Sequence, residues 1–386
     1  MDETRHDPGT EEPLAGRGAY ALLGTTIAGA DAEEMPRVAF TRDRAIFFAV
    51  FVASAVAFMY FVLPKVAGLG ETWDRLDRGD PAWLLVALGF ELASFAGYVA
   101  LFRTVFVRGE TRIGWRESYL ITMAGLAATR LFAAAGAGGI ALTAWALRRS
   151  GMDRKLVACR MVAFTALLYT VYMLALVIDG LGLRTGVLEG GGSFAITVVP
   201  ALLGAGAIAV FLLVSLVPED VAARIERRAQ RHGRGAPWMA RAVSVPAMGA
   251  SGVRTALAIL RSRDPGALGA LAWWGFDISV LWASFHAFGA PPAFSVIVMA
   301  YFVGMLANVL PLPGGIGGVE GGMIGALIAF GVNNGLAVVA VLVYRGFSFW
   351  LPTVPGAVAY LQLRRTVNRW RGESDSAPAS AVYFTK

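Results

Sequence analysis

The chain has 386 residues, 56% hydrophobic and only 16% charged. A soluble domain carries about 45–50% apolar and about 25% charged residues, so this composition excludes one. The net charge of +7 calls for no nucleic acid, because Lys and Arg gather on the cytoplasmic side of membrane proteins. A lone cysteine (Cys159) and three scattered histidines (His6, His232, His286) exclude an internal disulfide and point to no metal or other cofactor.

Residues 1–44 hold nine acids, five arginines and three prolines and predict a disordered cytoplasmic tail. The acid-rich start is unlike the basic beginning of a signal peptide. The membrane domain is predicted over 45–365. Its full spans are expected at Ala45–Leu63, Ala82–Phe102, Leu156–Ile178, Phe194–Val217, Ala267–Phe288 and Leu336–Leu361, each long enough to cross a bilayer. Tyr119–Leu147 and Phe294–Phe330 are apolar but broken, and read as interrupted hairpins. Between the spans lies a basic cytoplasmic insertion, 218–265. Pro218-Glu-Asp opens a helix there, which Arg227, Arg228 and Arg231 close. A second segment, Ala250–Leu260, is expected to lie along the membrane surface. Residues 366–386 are expected to be a disordered tail. The fold class is all-α and polytopic, with six spans and two hairpins.

Arginine sets the orientation. Four arginines fall in 103–116, nine in 218–265 and four just after Leu361, against one in 179–193 and none in 289–293. Both termini are therefore expected inside a plasma membrane. The halves, about 82–178 and 267–361, look like an inverted repeat. Each hairpin is followed by a glycine, an arginine and a phenylalanine: Gly151, Arg160, Phe164 and Gly335, Arg345, Phe349. Inverted repeats place a substrate site near the midplane, where broken helices meet.

The densest signal is Asn308–Gly325. Pro311 and Pro313 stop the incoming helix. Gly314, Gly315, Gly317 and Gly318 let the backbone turn and approach a neighbour closely, as do Gly136, Gly138 and Gly139 in the first hairpin. Such backbone is tolerated in a bilayer only when buried or lining a wet cavity. Six charges lie within the membrane: Glu91, Arg130, Arg160, Asp277, Glu320 and Arg345. A charge at a helix centre costs about 3 kcal/mol on the insertion scale, so these side chains should point inward and pair. Glu320 and Arg345 flank one hairpin–helix junction and form the first expected pair. Arginine suits phosphate, since its planar fork binds two oxygens. The six are candidate headgroup contacts. A Gly-rich packing face and a purely structural ion-pair network stay open as plainer explanations.

Leu312-Pro-Gly-Gly-Ile-Gly-Gly-Val-Glu-Gly, Tyr344-Arg345 and Trp350-Leu-Pro352 resemble the transmembrane region of lysylphosphatidylglycerol synthases, a family with many stand-alone, flippase-like members. The resemblance runs over about 45–365. In the first half, Ala135-Gly136-Ala-Gly-Gly139-Ile140 stands where relatives show Pro-Gly-x-x-Gly-Glu, so the proline and the carboxylate are missing. The resemblance implies lipid translocation without a synthase domain, hence a protein that is not an enzyme. Its implied partners are membrane lipids with anionic or phosphate-bearing headgroups, and a separate lipid-modifying enzyme. A membrane scaffold or regulator and a membrane-embedded lipid-phosphate transferase are the competing functions. No Gly-Lys-Ser/Thr phosphate loop occurs.

Overall fold

The computed structural model describes residues 79–108, 112–131, 137–216, 237–309 and 315–375. The predicted first span, both of the tail regions up to residue 78 and beyond 375, and the first part of the insertion lie outside them. Every element among the described residues is helical: α1 (Pro81–Phe106), α2 (Trp115–Leu131), α3 (Ala137–Arg149), α4 (Arg154–Thr185), α5 (Phe194–Ser215), α6 (Pro237–Arg261), α7 (Gly269–Phe288), α8 (Phe294–Leu306), α9 (Gly318–Ala329), α10 (Asn334–Arg345) and α11 (Thr353–Asp375). Five helical stretches are long and apolar enough to cross a membrane: Pro81–Phe106, Arg154–Thr185, Phe194–Ser215, Pro265–Phe288 and Asn334–Trp370.

Local chemistry sets the helix starts. Asp80 accepts the Ala82 N–H at 2.8 Å, with Pro81 at the first helical position, where a missing donor costs nothing. Asp153 accepts from Lys155 and Leu156 at the start of α4, and these backbone donors hold its carboxyl below the ordinary range. Asn333 caps α10 through the Leu336 N–H. α4 runs on to Thr185 and ends at Gly186 in the left-handed conformation. The first seven residues of the loop expected at 179–193 are therefore helix, and Asp179 is buried within them. Gly180 and Gly182 lie just past the predicted end but stay helical, Gly180 giving α5 a close approach at the Thr197 carbonyl and Ala201.

Three expectations are corrected. Ala250–Leu260 does not lie along a surface, since Ala250, Val253, Ala256 and Ile259 of α6 are buried. Gly252 faces the Cys159 carbonyl and Val162 of α4, and Ser251 and Thr255 meet the Cys159 thiol. The last span is not one α-helix: α10 stops at Arg345, Gly346–Trp350 is a π-turn, and α11 restarts at Thr353. α11 also continues to Asp375, past the tail boundary expected at 366.

Two hydrophobic cores result. One joins α1, α2, α3 and the start of α4 to α11. The other joins α7–α10 to the far half of α4. α11 thus crosses over to pack on α2, where a Cβ on Gly356 would sit 2.7 Å from Ala127 Cβ. α1 and α7 are held together through small residues, the usual route to close helix approach in lipid. A Cβ at Gly97 would fall 2.7 Å from Ala272 Cβ and 3.0 Å from the Trp273 backbone nitrogen.

The ends differ in charge. At one end Arg108 lies 3.5 Å from Asp264, Arg112 donates to the Trp370 carbonyl, and Arg103 stacks over Trp115 at 4.0 Å. At the other, the Asp80 N–H donates to the Ala287 carbonyl, the Ser295 hydroxyl to the Glu189 carbonyl, and His286 stacks on Trp83 and meets Trp282 edge-on. Tryptophan there is at home in a membrane interface.

Gly97→Val should push α1 from α7 and cost about 2 kcal/mol by overpacking. Gly89→Ala, on the same helix with nothing within 4 Å of the added carbon, should leave the thermal midpoint in detergent unchanged.

Candidate functional site

A cavity of about 410 Å³ opens between the two broken helix pairs, α2–α3 and α8–α9, with α1, α4, α7 and α10 closing its sides. That is the size of a small-molecule site. Its wall carries Arg130, Asp277 and Arg345, the hydroxyls of Thr129, Thr143, Thr165 and Ser348, and the rings of Tyr98, Tyr169 and Trp273.

Glu320 and Arg130 are each placed by a break in the backbone. α8 ends at Leu306, passes through a 3-10 turn to Val309, and the chain re-emerges at Gly315 and Gly317 with φ of +67° and +84°. Left-handed backbone suits glycine. At Gly315 a side chain would also strike Asn308 and Val319. Gly317 N–H donates to Glu320 Oε2 at 2.7 Å, so the carboxylate closes the start of α9, where helix dipole and free N–H groups favour an anion. The other oxygen, Oε1, accepts from Arg345 Nε at 2.5 Å. Both side chains are buried. The expected pair is therefore made, with Glu320 behind Arg345 rather than on the cavity wall. Gly318 opens α9; Pro311, Pro313 and Gly314 lie outside the described residues, as does Gly136.

The second break places Arg130. Pro352 has no N–H, so the Ser348 carbonyl four residues earlier has no ordinary helical donor. The helix widens instead: Leu351 N–H donates to the Gly346 carbonyl at 2.9 Å, five residues back, as in the π-turns that recur at functional sites. Ser348's carbonyl takes its proton from Arg130 Nη2 at 2.7 Å. The Nη1 of Arg130 is shielded and makes no hydrogen bond among the described residues. Arg130 and Arg345 both stack on Phe349, at 5.6 and 4.4 Å from the ring centre, a favourable cation–π arrangement.

Asp277 on α7 accepts from Tyr344 Oη at 2.8 Å and from Tyr301 Oη. Arg130 sits with Glu91, Asp277 and Arg345 as its charged neighbours. Glu91 is buried on α1, and its Oε2 makes no hydrogen bond. Five of the six predicted charges thus form one cluster. Arg160 does not join it. Its Nη1 donates to the Phe106 carbonyl at 2.9 Å, because the register of α4 turns it toward the end of α1. Its expected equivalence to Arg345 is not seen in these surroundings. In the first pair, Gly139 does the packing expected of it: a Cβ there would strike Thr129 and the Gly125 carbonyl. Gly138 lies in the first turn of α3.

Sequence reasoning missed Tyr301, Ser348 and the role of Tyr344. Tyr301 and Tyr344 reach Asp277 from two other helices, so no spacing marks them. Ser348 was legible in principle, since it lies four residues before Pro352. Among the described residues no group of His, Cys, Asp or Glu could hold a metal ion.

The family model of the lysylphosphatidylglycerol synthase TM region matches residues 46–356. The chain belongs to that family. Among curated relatives, two UPF0104 membrane proteins of Methanothermobacter thermautotrophicus are 37% identical over 86 residues and 33% over 90, and a UPF0104 membrane protein of Pyrococcus horikoshii is 31% identical over 93. These matches cover 22%, 23% and 24% of this chain and 26%, 26% and 28% of the relatives, so the chain matches about a quarter of their length. No solved structure matches it.

Glu320→Ala should cost about 3 kcal/mol, because it strands a buried guanidinium. Glu320→Ala combined with Arg345→Leu should recover most of that loss, as removing both partners leaves no unpaired charge. Thermal unfolding of the purified variants in detergent measures both, and equal losses for the single and double variants would refute the pairing energetics.

Proposed function

We propose that this family member translocates a phosphate-bearing lipid across the plasma membrane, holding the headgroup in the cavity while the acyl chains stay in the bilayer. The observation that carries this reading is Arg130. Its Nη1 makes no hydrogen bond, its Nη2 is anchored to a backbone carbonyl, and it shares Phe349 with Arg345 on the cavity wall. Two guanidiniums held over one ring present a fork suited to phosphate oxygens. The wall's hydroxyls add further donors. Asp277, held by two tyrosines, sits where it can release Arg130 to an incoming anion. Glu320 acts through Arg345, which it orients, and does not touch the headgroup.

In this reading the chain makes six spans and two interrupted hairpins in an inverted repeat, with both termini cytoplasmic. The five apolar helices and the two short-helix pairs flanking the cavity support it, as does the basic end. Movement arises at Gly136–Gly139 and Gly314–Gly318. The protein acts as a carrier and not as an enzyme, and a separate lipid-modifying enzyme supplies or consumes its cargo.

Proteoliposomes containing fluorescent phospholipids with anionic or zwitterionic headgroups test it through outer-leaflet quenching. Arg130→Ala should slow translocation at least about tenfold, the loss of one charge-assisted hydrogen bond or more. Arg160→Ala, outside the cavity, should stay within about twofold of wild type. Normal rates in a folded Arg130→Ala protein would overturn the assignment.

A further inference from the structure

A second cavity, also about 410 Å³, lies on the other side of the α1–α2 wall. α1 contributes Glu91 and Phe95, α2 contributes Tyr119 and Met123, and the π-turn junction contributes Leu351 and Pro352. Its rim faces outward: Leu92, Trp115 and Leu351 are 62%, 68% and 47% exposed. In a bilayer this rim meets lipid. The groove runs from the start of α2, beside the basic end of the molecule, to Glu91. Glu91 is ten residues into the 26-residue α1, roughly 15 Å along its axis and so near mid-membrane.

Apart from Glu91 and the hydroxyl of Tyr119, the lining is apolar. Glu91 is 2% exposed and its Oε2 makes no hydrogen bond. A buried acceptor left unmade costs about 1–3 kcal/mol, a cost relieved when a donor arrives. Its charged neighbours, Asp277 and Arg130, belong to the wall of the headgroup cavity. Glu91 therefore lines the groove while neighbouring two residues of the cavity wall.

We propose that this groove is the lateral entrance for the translocated lipid: it seats one membrane lipid whose polar end donates a hydroxyl to Glu91 Oε2 and whose chains leave through the open rim. An apolar chain suits the walls, and a hydroxyl suits the lone carboxyl at the blind end. The entrance role rests on the translocation reading; occupancy of the groove does not.

The test uses the full-length protein in phosphatidylcholine vesicles doped with lipids bearing a diazirine on one acyl chain. One probe has a phosphoglycerol headgroup and the other a phosphomethanol headgroup, equal in charge but lacking a hydroxyl. Peptides containing Met123 and Leu351 should be labelled about tenfold more by the phosphoglycerol probe, the equivalent of about 1.4 kcal/mol. Glu91→Leu should abolish that preference. Ala96→Phe, a change at the exposed rim that spares Glu91, should cut groove labelling at least about fivefold and translocation with it.

Equal labelling by both probes would overturn the hydroxyl assignment. Absence of labelling, with a cysteine placed in 45–63 crosslinking to Met123→Cys, would overturn the groove as a lipid site and assign it to the chain's own first segment. Translocation at the wild-type rate in Ala96→Phe, with labelling lost, would refute the entrance role. Labelling needs no transport, so preserved labelling in a protein that moves no lipid would sustain the groove and sink the translocation reading instead.

Discussion

The bond between Arg345 and Glu320 governs the rest of this architecture. A bilayer offers no water to a broken helix, so every freed backbone group and every charge must be satisfied by protein. Glu320 meets that demand at two places at once. One oxygen closes the N-terminus of α9 through Gly317, and the other holds Arg345 at the end of α10. The carboxylate thereby ties the break between α8 and α9 to the break between α10 and α11. Once Arg345 is fixed, the Phe349 ring it stacks on is fixed too, and Arg130 stacks on the same ring.

The same logic explains why a proline in the last span is useful rather than damaging. Pro352 deprives one carbonyl of its helical donor, and that carbonyl becomes the anchor for a guanidinium from a different helix pair. The orphaned acceptor and the intramembrane cation satisfy each other. Asp277 follows a similar pattern, with two phenols from separate helices covering the carboxylate. Among the described buried atoms left without hydrogen bonds are Glu91 Oε2 and Arg130 Nη1, one lining the lipid-facing groove and the other on the wall of the headgroup cavity.

Much of the fold was legible from local signals. Spans such as Phe194–Ser215 and the 269–288 helix are announced by length and apolarity. The start of α10 is announced by Asn333, and the end of α8 by the prolines that follow. The Glu320–Arg345 pair could be anticipated because both residues flank one junction. Other features could not be read that way. α4 overruns its predicted end through Gly180, which packs against Thr197 and Ala201 of α5, and the last span splits at a π-turn whose cause, Pro352, sits seven residues beyond Arg345.

By itself the sequence determined that this is a helical membrane protein of its family, where its second hairpin breaks, and which charges must be sheltered. These are properties of single residues and short spacings, set by the cost of exposing polar groups to lipid. Only the tertiary structure decided which charges meet. Arg130 joins Asp277 and Glu91, whereas Arg160 turns away to a carbonyl of α1. It also decided that α11 packs on α2 and that tyrosines from α8 and α10 converge on one aspartate. Those choices depend on helix rotation and crossing. They are set by small-residue contacts such as Gly97 against Ala272 and Gly356 against Ala127, which bring together residues far apart in the chain.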